Sequence, residues 1–260
     1  MGGFKQELEL FLIAVSFFTR IPVPLRLEMS PERLNRASRY FGLVGTLVGL
    51  VSAAVFYLVQ WLLPASVAVI LAMLTSVLLT GGFHEDGLAD TADGFGGGWS
   101  AEEKLQIMKD SRIGSYGAMA LVLALLLKFQ LLAELALYSP ASAASALVLG
   151  HTLSRVMAAS IIISQPYVRL GEDSKSKPLA ENMHWDELLV LLLCGFVLSL
   201  LLTGVGATLV LGLGLWLGRM LSVYLFKRQI GGYTGDTLGA AQQALELWVY
   251  IMLLWLWSQT

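Results

Sequence analysis

Seven stretches of this chain, at about 40–62, 65–83, 116–138, 141–164, 187–203, 206–226 and 239–258, are apolar over most or all of a membrane-crossing length. Crossing the hydrocarbon core takes about 20 apolar residues, with a range of roughly 17–25. In lipid the backbone must satisfy its own hydrogen bonds, and runs of this length do so as helices. The expectation is therefore an all-α, polytopic transmembrane bundle of about seven spans, forming one integral membrane domain over 1–260. The run at 187–203 is short and needs tilt or shielding by neighbours. Charge content agrees: 14% of the 260 residues are Asp, Glu, Lys or Arg, against about a quarter in soluble domains. With so few charges the chain cannot cover a water-exposed surface of ordinary size.

The connections between runs fall into two kinds. Those at Pro64, at Ser139-Pro140 and at Thr203-Gly204-Val205-Gly206 are tight, and Pro and Gly stop helices. The others are longer and carry the cations. Lys5, Arg20, Arg26, Arg33, Arg36 and Arg39 precede the first run, and Lys104, Lys109 and Arg112 follow the second. Arg169, Lys175 and Lys177 follow the fourth, and Lys227 and Arg228 follow the sixth. Excess Lys and Arg marks the cytoplasmic side. The segments 1–39, 84–115, 165–186 and 227–238 are thus expected in the cytoplasm or at its interface, in a prokaryotic inner membrane. Residues 5–18 hold Glu7 and Glu9, lack a small-residue cleavage site and run into Arg20-Ile21-Pro22-Val23-Pro24. They read as a retained amphipathic helix rather than a signal peptide. Cys194, the single cysteine, sits in an apolar run and reads as packing. A net charge of −2 without a basic tract points away from nucleic acid. Gly42, Gly45 and Gly49, and again Gly206, Gly212, Gly214 and Gly218, read as sites of close helix approach.

Chemistry concentrates at the end of the second run, in Gly81-Gly82-Phe83-His84-Glu85-Asp86-Gly87-Leu88-Ala89-Asp90-Thr91-Ala92-Asp93-Gly94. On a helix, Asp86, Asp90 and Asp93 fall within roughly 60° of one another. His84 and Glu85 point elsewhere, as further ligands or as solvent-facing groups. Two carboxylates about 6 Å apart repel by roughly 2–3 kcal/mol at an effective dielectric near 20, so the stripe calls for a counter-charge. All-oxygen donors suit Mg2+ or Mn2+. A second signal, Gly231-Gly232-Tyr233-Thr234-Gly235-Asp236-Thr237-Leu238-Gly239-Ala240, falls on the same expected face. Its glycines, Gly232 and Gly235 among them, let backbone approach a phosphate. Asp236 adds a ligand or acts as a general base. Between them, Arg112 suits a two-pronged phosphate contact and Lys109 a phosphate or a lipid headgroup. Lys128, Glu134 and Arg155 are ionisable groups within spans and call for interior partners; Lys128 and Glu134, six apart, do not suit each other.

Four segments together carry a resemblance. FFTRIPVP at 17–24, HEDGLADTADG at 84–94, MKDSRIGSYG at 108–117 and GGYTGDTLGA at 231–240 resemble the cobalamin (cobamide) synthase family, the adenosylcobinamide-GDP ribazoletransferases. The likeness runs the whole length in order. It implies a Mg2+-requiring transferase of cobalamin biosynthesis in the inner membrane. In that reaction a hydroxyl of α-ribazole, or of its 5′-phosphate, attacks the cobinamide-linked phosphate of adenosylcobinamide-GDP and GMP leaves. Carried over by position, Asp86, Asp90 and Asp93 would bind metal with Asp236 as partner, and Glu85 is less secure. The corrinoid is substrate, so the resemblance implies no bound cobalamin cofactor. Membrane lipid is an expected partner, and self-association or contact with other cobalamin-assembly enzymes stays open. Two other aspartate-rich membrane enzymes compete. A CDP-alcohol phosphotransferase expects Ala-Arg soon after its first Asp-Gly, where this chain has Leu88-Ala89-Asp90. A prenyltransferase expects two aspartate-rich helices. A cation transporter would set its acids near the midplane.

Overall fold

The computed structural model describes residues 2–23, 27–168 and 182–259. Pro24, Arg26 and most of the 165–186 segment, with Arg169, Lys175 and Lys177, lie outside the described residues. The described residues form α1 (Gly2–Phe18), α2 (Pro31–Ala37), α3 (Phe41–Gln60), α4 (Ala65–Thr80), α5 (Phe83–Gly97), α6 (Ala101–Met108), α7 (Ser115–Tyr138), α8 (Pro140–Ala159), α9 (Trp185–Ile230) and α10 (Gly235–Trp257). Among the described residues extended pairing is limited to one bridge, Tyr167 to Tyr233. The protein is an all-α transmembrane bundle.

Three helical stretches, Pro31–Gln60, Ser115–Tyr138 and Trp185–Ile230, are long and apolar enough to cross a membrane; α4 meets that measure only when joined to α5, from which it is bent by 86°. The sequence predicts seven. Helices do stand at all seven expected positions, but length and hydropathy pass fewer of them, for three reasons. α9 is continuous through Gly204 (φ 77°, ψ 177°), where its two halves fold back. Ser199 Oγ donates to Thr208 Oγ1 at 3.1 Å across that fold. α4 is only 16 residues long. α8 and α10 carry His151, Arg155, Gln242, Gln243 and Glu246, which are buried inside the bundle.

α8 is the central helix, buried along nearly its whole length. α3 lies directly on it because Gly42, Gly45 and Gly49 face it. A Cβ at Gly45 would overlap the His151 carbonyl, and one at Gly49 would come within 2.7 Å of Val148 Cα. Of the glycines in the later run, Gly214 and Gly218 meet Met252 and Leu245, whereas Gly206 and Gly212 face open space. That part of the close-approach expectation is corrected: periodic spacing puts glycines on a face, but only packing decides which face is covered.

The cation-bearing connections gather at one end. Arg39 joins the N-terminal segment to the start of α9, its Nη2 lying 2.8 Å from Glu187 Oε1 and 3.3 Å from Asp186 Oδ2. Lys104 Nζ donates to Gln229 Oε1 at 2.6 Å, tying α6 to the end of α9. Arg20 N–H donates to Leu79 O at 2.7 Å, tying the exit of α1 to the end of α4. α1 buries Leu10, Ile13, Ala14, Val15 and Phe18 and keeps its acids outward, where Glu9 meets Arg33 at 2.5 Å. His184 caps α9, its backbone N–H donating to Glu187 Oε2 at 3.0 Å.

Candidate active site

Two consecutive glycines create the site's geometry. Gly81 (φ 71°) and Gly82 (φ 73°) adopt left-handed backbone, which closes α4 and throws α5 off at its 86° bend. Side-chain-bearing residues pay a steric penalty there, so two in succession call for glycine. α5 therefore lies across the end of the bundle instead of continuing the span. It then crosses the first turn of α10 nearly backbone to backbone. A Cβ at Gly87 would stand 2.7 Å from Asp236 O and 3.2 Å from Gly239 Cα. This contact brings residues 150 positions apart in sequence together, with Asp86 and Asp90 on α5 facing Asp236 on α10.

Their mutual field is visible in their acidities. Burial, then the charges of Asp86, Asp236 and Asp93, push the Asp90 carboxyl up to about 7. Burial, then Asp86, push Asp236 up to about 6; it stands ahead of the apolar part of α10. Beside them opens a cleft of about 560 Å³ whose walls include Arg20, Gly82, Asp86, Asp90 and Ser111. Among the described residues no three of His, Cys, Asp and Glu form a closed metal cage. The donors nevertheless fit Mg2+, which typically binds through one or two carboxylates, keeps waters and recruits substrate phosphates. Part of the upward push, after burial, comes from the neighbouring aspartates, and a divalent cation relieves that repulsion.

Asp93 lies on the same stripe but is employed differently. It is buried, and its Oδ2 accepts the Gly114 N–H at 2.7 Å while Oδ1 accepts the Gly117 N–H at 2.8 Å. It thereby caps the start of α7 and pins the 110–117 turn against α5. Glu85 turns inward, its Oε1 accepting from Gln243 Nε2 at 3.1 Å, and is separate from the aspartate face. His84 is buried and stacked on Phe18, with ring centroids 5.7 Å apart, and burial holds it well below the ordinary imidazole range. It is a neutral packing group. Arg112 is exposed, pairs with Asp110 at 2.7 Å and borders a neighbouring groove with Asp93, outside the lining of the cleft that holds Asp86 and Asp90. Lys109 is exposed at the end of α6. Gly232 permits a tight backbone contact with Pro166, and Gly235 lines a small cavity with Arg155, His84 and Gln242.

Beneath the cleft runs a buried polar chain. Glu85, Gln243 and Gln242 lead to Glu246, which accepts from Gln242 Nε2 and Tyr250 OH at 2.7 Å each. Glu246 also pairs with Lys128 at 2.5 Å, and His151 Nδ1 lies 3.4 Å away. Arg155 Nη1 donates to the His151 carbonyl at 2.9 Å. Glu134 instead accepts from Gln130 at 2.7 Å. Lys128 and Glu134 thus have separate partners.

Arg20, in the FFTRIPVP segment, and Ser111, in MKDSRIGSYG, carry no assigned role in the sequence; both line the cleft. Arg20 stands 61 residues before Gly81 and 66 before Asp86, a distance that no periodicity bridges.

Fold and site together define a polytopic helical membrane protein with a carboxylate-lined cleft at one end of its bundle. The sequence profile of the cobalamin-5-phosphate synthase family matches residues 10–254. The chain belongs to that family. It is 68% identical over 260 residues to the adenosylcobinamide-GDP ribazoletransferase of Shewanella amazonensis, covering 100% of both chains. To the protein of that name from Shewanella baltica it is 62% identical over 252 residues, 97% of this chain and 96% of the relative. The Shewanella pealeana counterpart is 61% identical over 254 residues, 98% of each. No solved structure matches.

Proposed function

We propose that this protein joins adenosylcobinamide-GDP to α-ribazole or its 5′-phosphate, with Mg2+, releasing GMP. The meeting of Asp86 and Asp90 with Asp236 across the α5–α10 crossing carries the reading, alongside full-length relatives of that name. A hydroxyl oxygen of the ribazole forms a bond to the cobinamide-linked phosphorus. The P–O bond to GMP breaks, and its electrons leave with GMP. Asp86 and Asp90 would hold the metal, with Mn2+ the natural substitute, and Asp236 would contribute from α10 across the helix crossing. Bound there, the cation would neutralise charge building on the phosphate and on departing GMP. Asp236, facing Asp86 from α10, also serves as acceptor for the hydroxyl proton. Asp93 and Glu85 act as supports of this face. Gathering of the Lys- and Arg-bearing connections at the cleft end supports a cytoplasmic site in a prokaryotic inner membrane.

The test is GMP release from adenosylcobinamide-GDP with α-ribazole or its phosphate in liposomes, for wild type and Asp86→Asn, with Mg2+ or with chelator. The expected result is release that needs Mg2+ and is lost in the folded variant. Full activity of Asp86→Asn would remove the carboxylate mechanism. Absence of release by folded wild type with either nucleophile would remove the reaction.

A further inference from the structure

We infer that Arg20 is the anion seat of the cleft, binding the diphosphate of the GDP-linked substrate alongside the aspartates; this rests on the reaction proposed above. Arg20 is exposed and lines the same cleft as Asp86, Asp90 and Ser111. Its main chain is fixed on both sides. Thr19 Oγ1 donates to Val15 O at 2.8 Å and accepts the Ile21 N–H at 3.2 Å, while Arg20 N–H donates to Leu79 O at 2.7 Å.

The guanidinium lies against Gly81. A Cβ added there would overlap Arg20 Nε and come within 2.9 Å of Cζ and 3.0 Å of Nη2. Gly81 therefore does two things at once: it turns the chain into α5, and it gives the guanidinium a flat bed. A side chain held in this way has surrendered part of its rotamer freedom before any ligand arrives, which lowers the cost of binding.

Arg33, Arg36 and Arg39 of the same N-terminal segment are each within 4.0 Å of a carboxylate, from Glu9, Glu7 or Glu187. Arg112 is clasped by Asp110. Arg20 forms no ion pair among the described residues, although two aspartates line its cleft. A guanidinium with its donor edges open is matched to two phosphate oxygens at once. A diphosphate entering here reaches Arg20 and the two aspartates within one cleft. This places the donor's diphosphate, rather than the ribazole, beside Arg20.

The experiment measures GDP binding by the detergent-solubilised full chain, read as a thermal shift with Mg2+, together with steady-state kinetics. Wild type, Arg20→Ala, Arg20→Lys and Gly81→Ala are compared. Expected for Arg20→Ala are loss of most GDP protection and a rise of about 10- to 100-fold in KM for adenosylcobinamide-GDP, with KM for the ribazole unchanged. Arg20→Lys restores part of the binding, since a point charge replaces a fork. Gly81→Ala, which displaces the guanidinium and also strains the left-handed turn into α5, lowers GDP protection together with the response to Mg2+. Wild-type GDP protection in Arg20→Ala overturns the proposal, as does an equal effect on both substrates. A parallel arm titrates neutral and phosphatidylglycerol vesicles. Loss confined to the anionic vesicles assigns Arg20 to a lipid phosphate and also overturns it. GDP binding needs no turnover, so binding through Arg20 without GMP release would sink the reaction and leave the anion seat standing.

Discussion

Lys128 Nζ stands 2.5 Å from Glu246 Oε1, and both side chains are buried. The pair joins α7 to α10 inside the bundle, with Tyr250 and Gln242 filling the remaining acceptor positions of the carboxylate. Each charge is tolerable there because of the other. Removing one partner leaves an uncompensated buried charge, at a cost of about 3–5 kcal/mol. Lys128→Met and Glu246→Gln, singly, should each lower the thermal unfolding midpoint sharply. The double variant should recover part of the loss, because neither Lys128 nor Glu246 is left without the other, while buried Arg155 keeps Glu85 as its remaining acidic neighbour. A double variant as unstable as the sum of the singles would show that the two residues act independently.

Asp93 and Asp86 differ in employment although they share a helix face. Asp93→Asn replaces an acceptor oxygen by an N–H2 group pointed at a backbone N–H, at either Gly114 or Gly117. The expected cost is about 1–3 kcal/mol, with faster amide hydrogen exchange at those two glycines. Asp86→Asn should leave exchange there unchanged and relieve repulsion with Asp90. Unchanged exchange at Gly114 and Gly117 in Asp93→Asn would contradict the capping role.

The helices and the carboxylate stripe were legible because each depends on neighbours within a few residues. Apolar runs mark α3, α7 and both halves of α9, and the four-residue step from Asp86 to Asp90 falls on one face of any α-helix. What escaped the sequence depends on distant pairs. Nothing local indicates that Gly87 meets Asp236, that Lys128 pairs with Glu246, or that Arg20 rests on Gly81. Asp93 shows the same limit on its own stripe: spacing gives direction, but the 110–117 turn that occupies its oxygens comes from elsewhere. α8 and α10 were legible as helices and harder to count as spans, because the groups that enrich the interior of a bundle reduce hydropathy.

Interface glycines provide a direct check on the packing. At Gly45 an added methyl meets the His151 carbonyl, a backbone atom that cannot swing aside. Gly45→Ala should separate α3 from α8 and destabilise the protein by about 1–3 kcal/mol. Gly206→Ala and Gly212→Ala, in open space, should unfold close to wild type. Thermal unfolding in one detergent compares all three, and equal midpoints would rule out the close α3–α8 contact.

Acidity and metal binding should be linked in the cleft. Asp90 at about 7 and Asp236 at about 6 lie above the ordinary carboxylate range, chiefly through burial and then through neighbouring aspartates. A raised carboxyl holds its proton in the folded state at pH values where the unfolded chain has released it. The folded state thus binds more protons than the unfolded one between about pH 4 and pH 7, and metal-free stability falls as pH rises through that window. A divalent cation binds the ionised carboxylates, so its uptake releases protons and its apparent affinity climbs from pH 6 to pH 8. The thermal shift produced by Mg2+ should accordingly be small at pH 6 and larger at pH 8, while the midpoint without Mg2+ moves the opposite way. Asp90→Asn should flatten both trends, because it removes the most displaced of the carboxyls. A Mg2+ shift independent of pH in wild type would mean that the cation does not bind at Asp90 and Asp236.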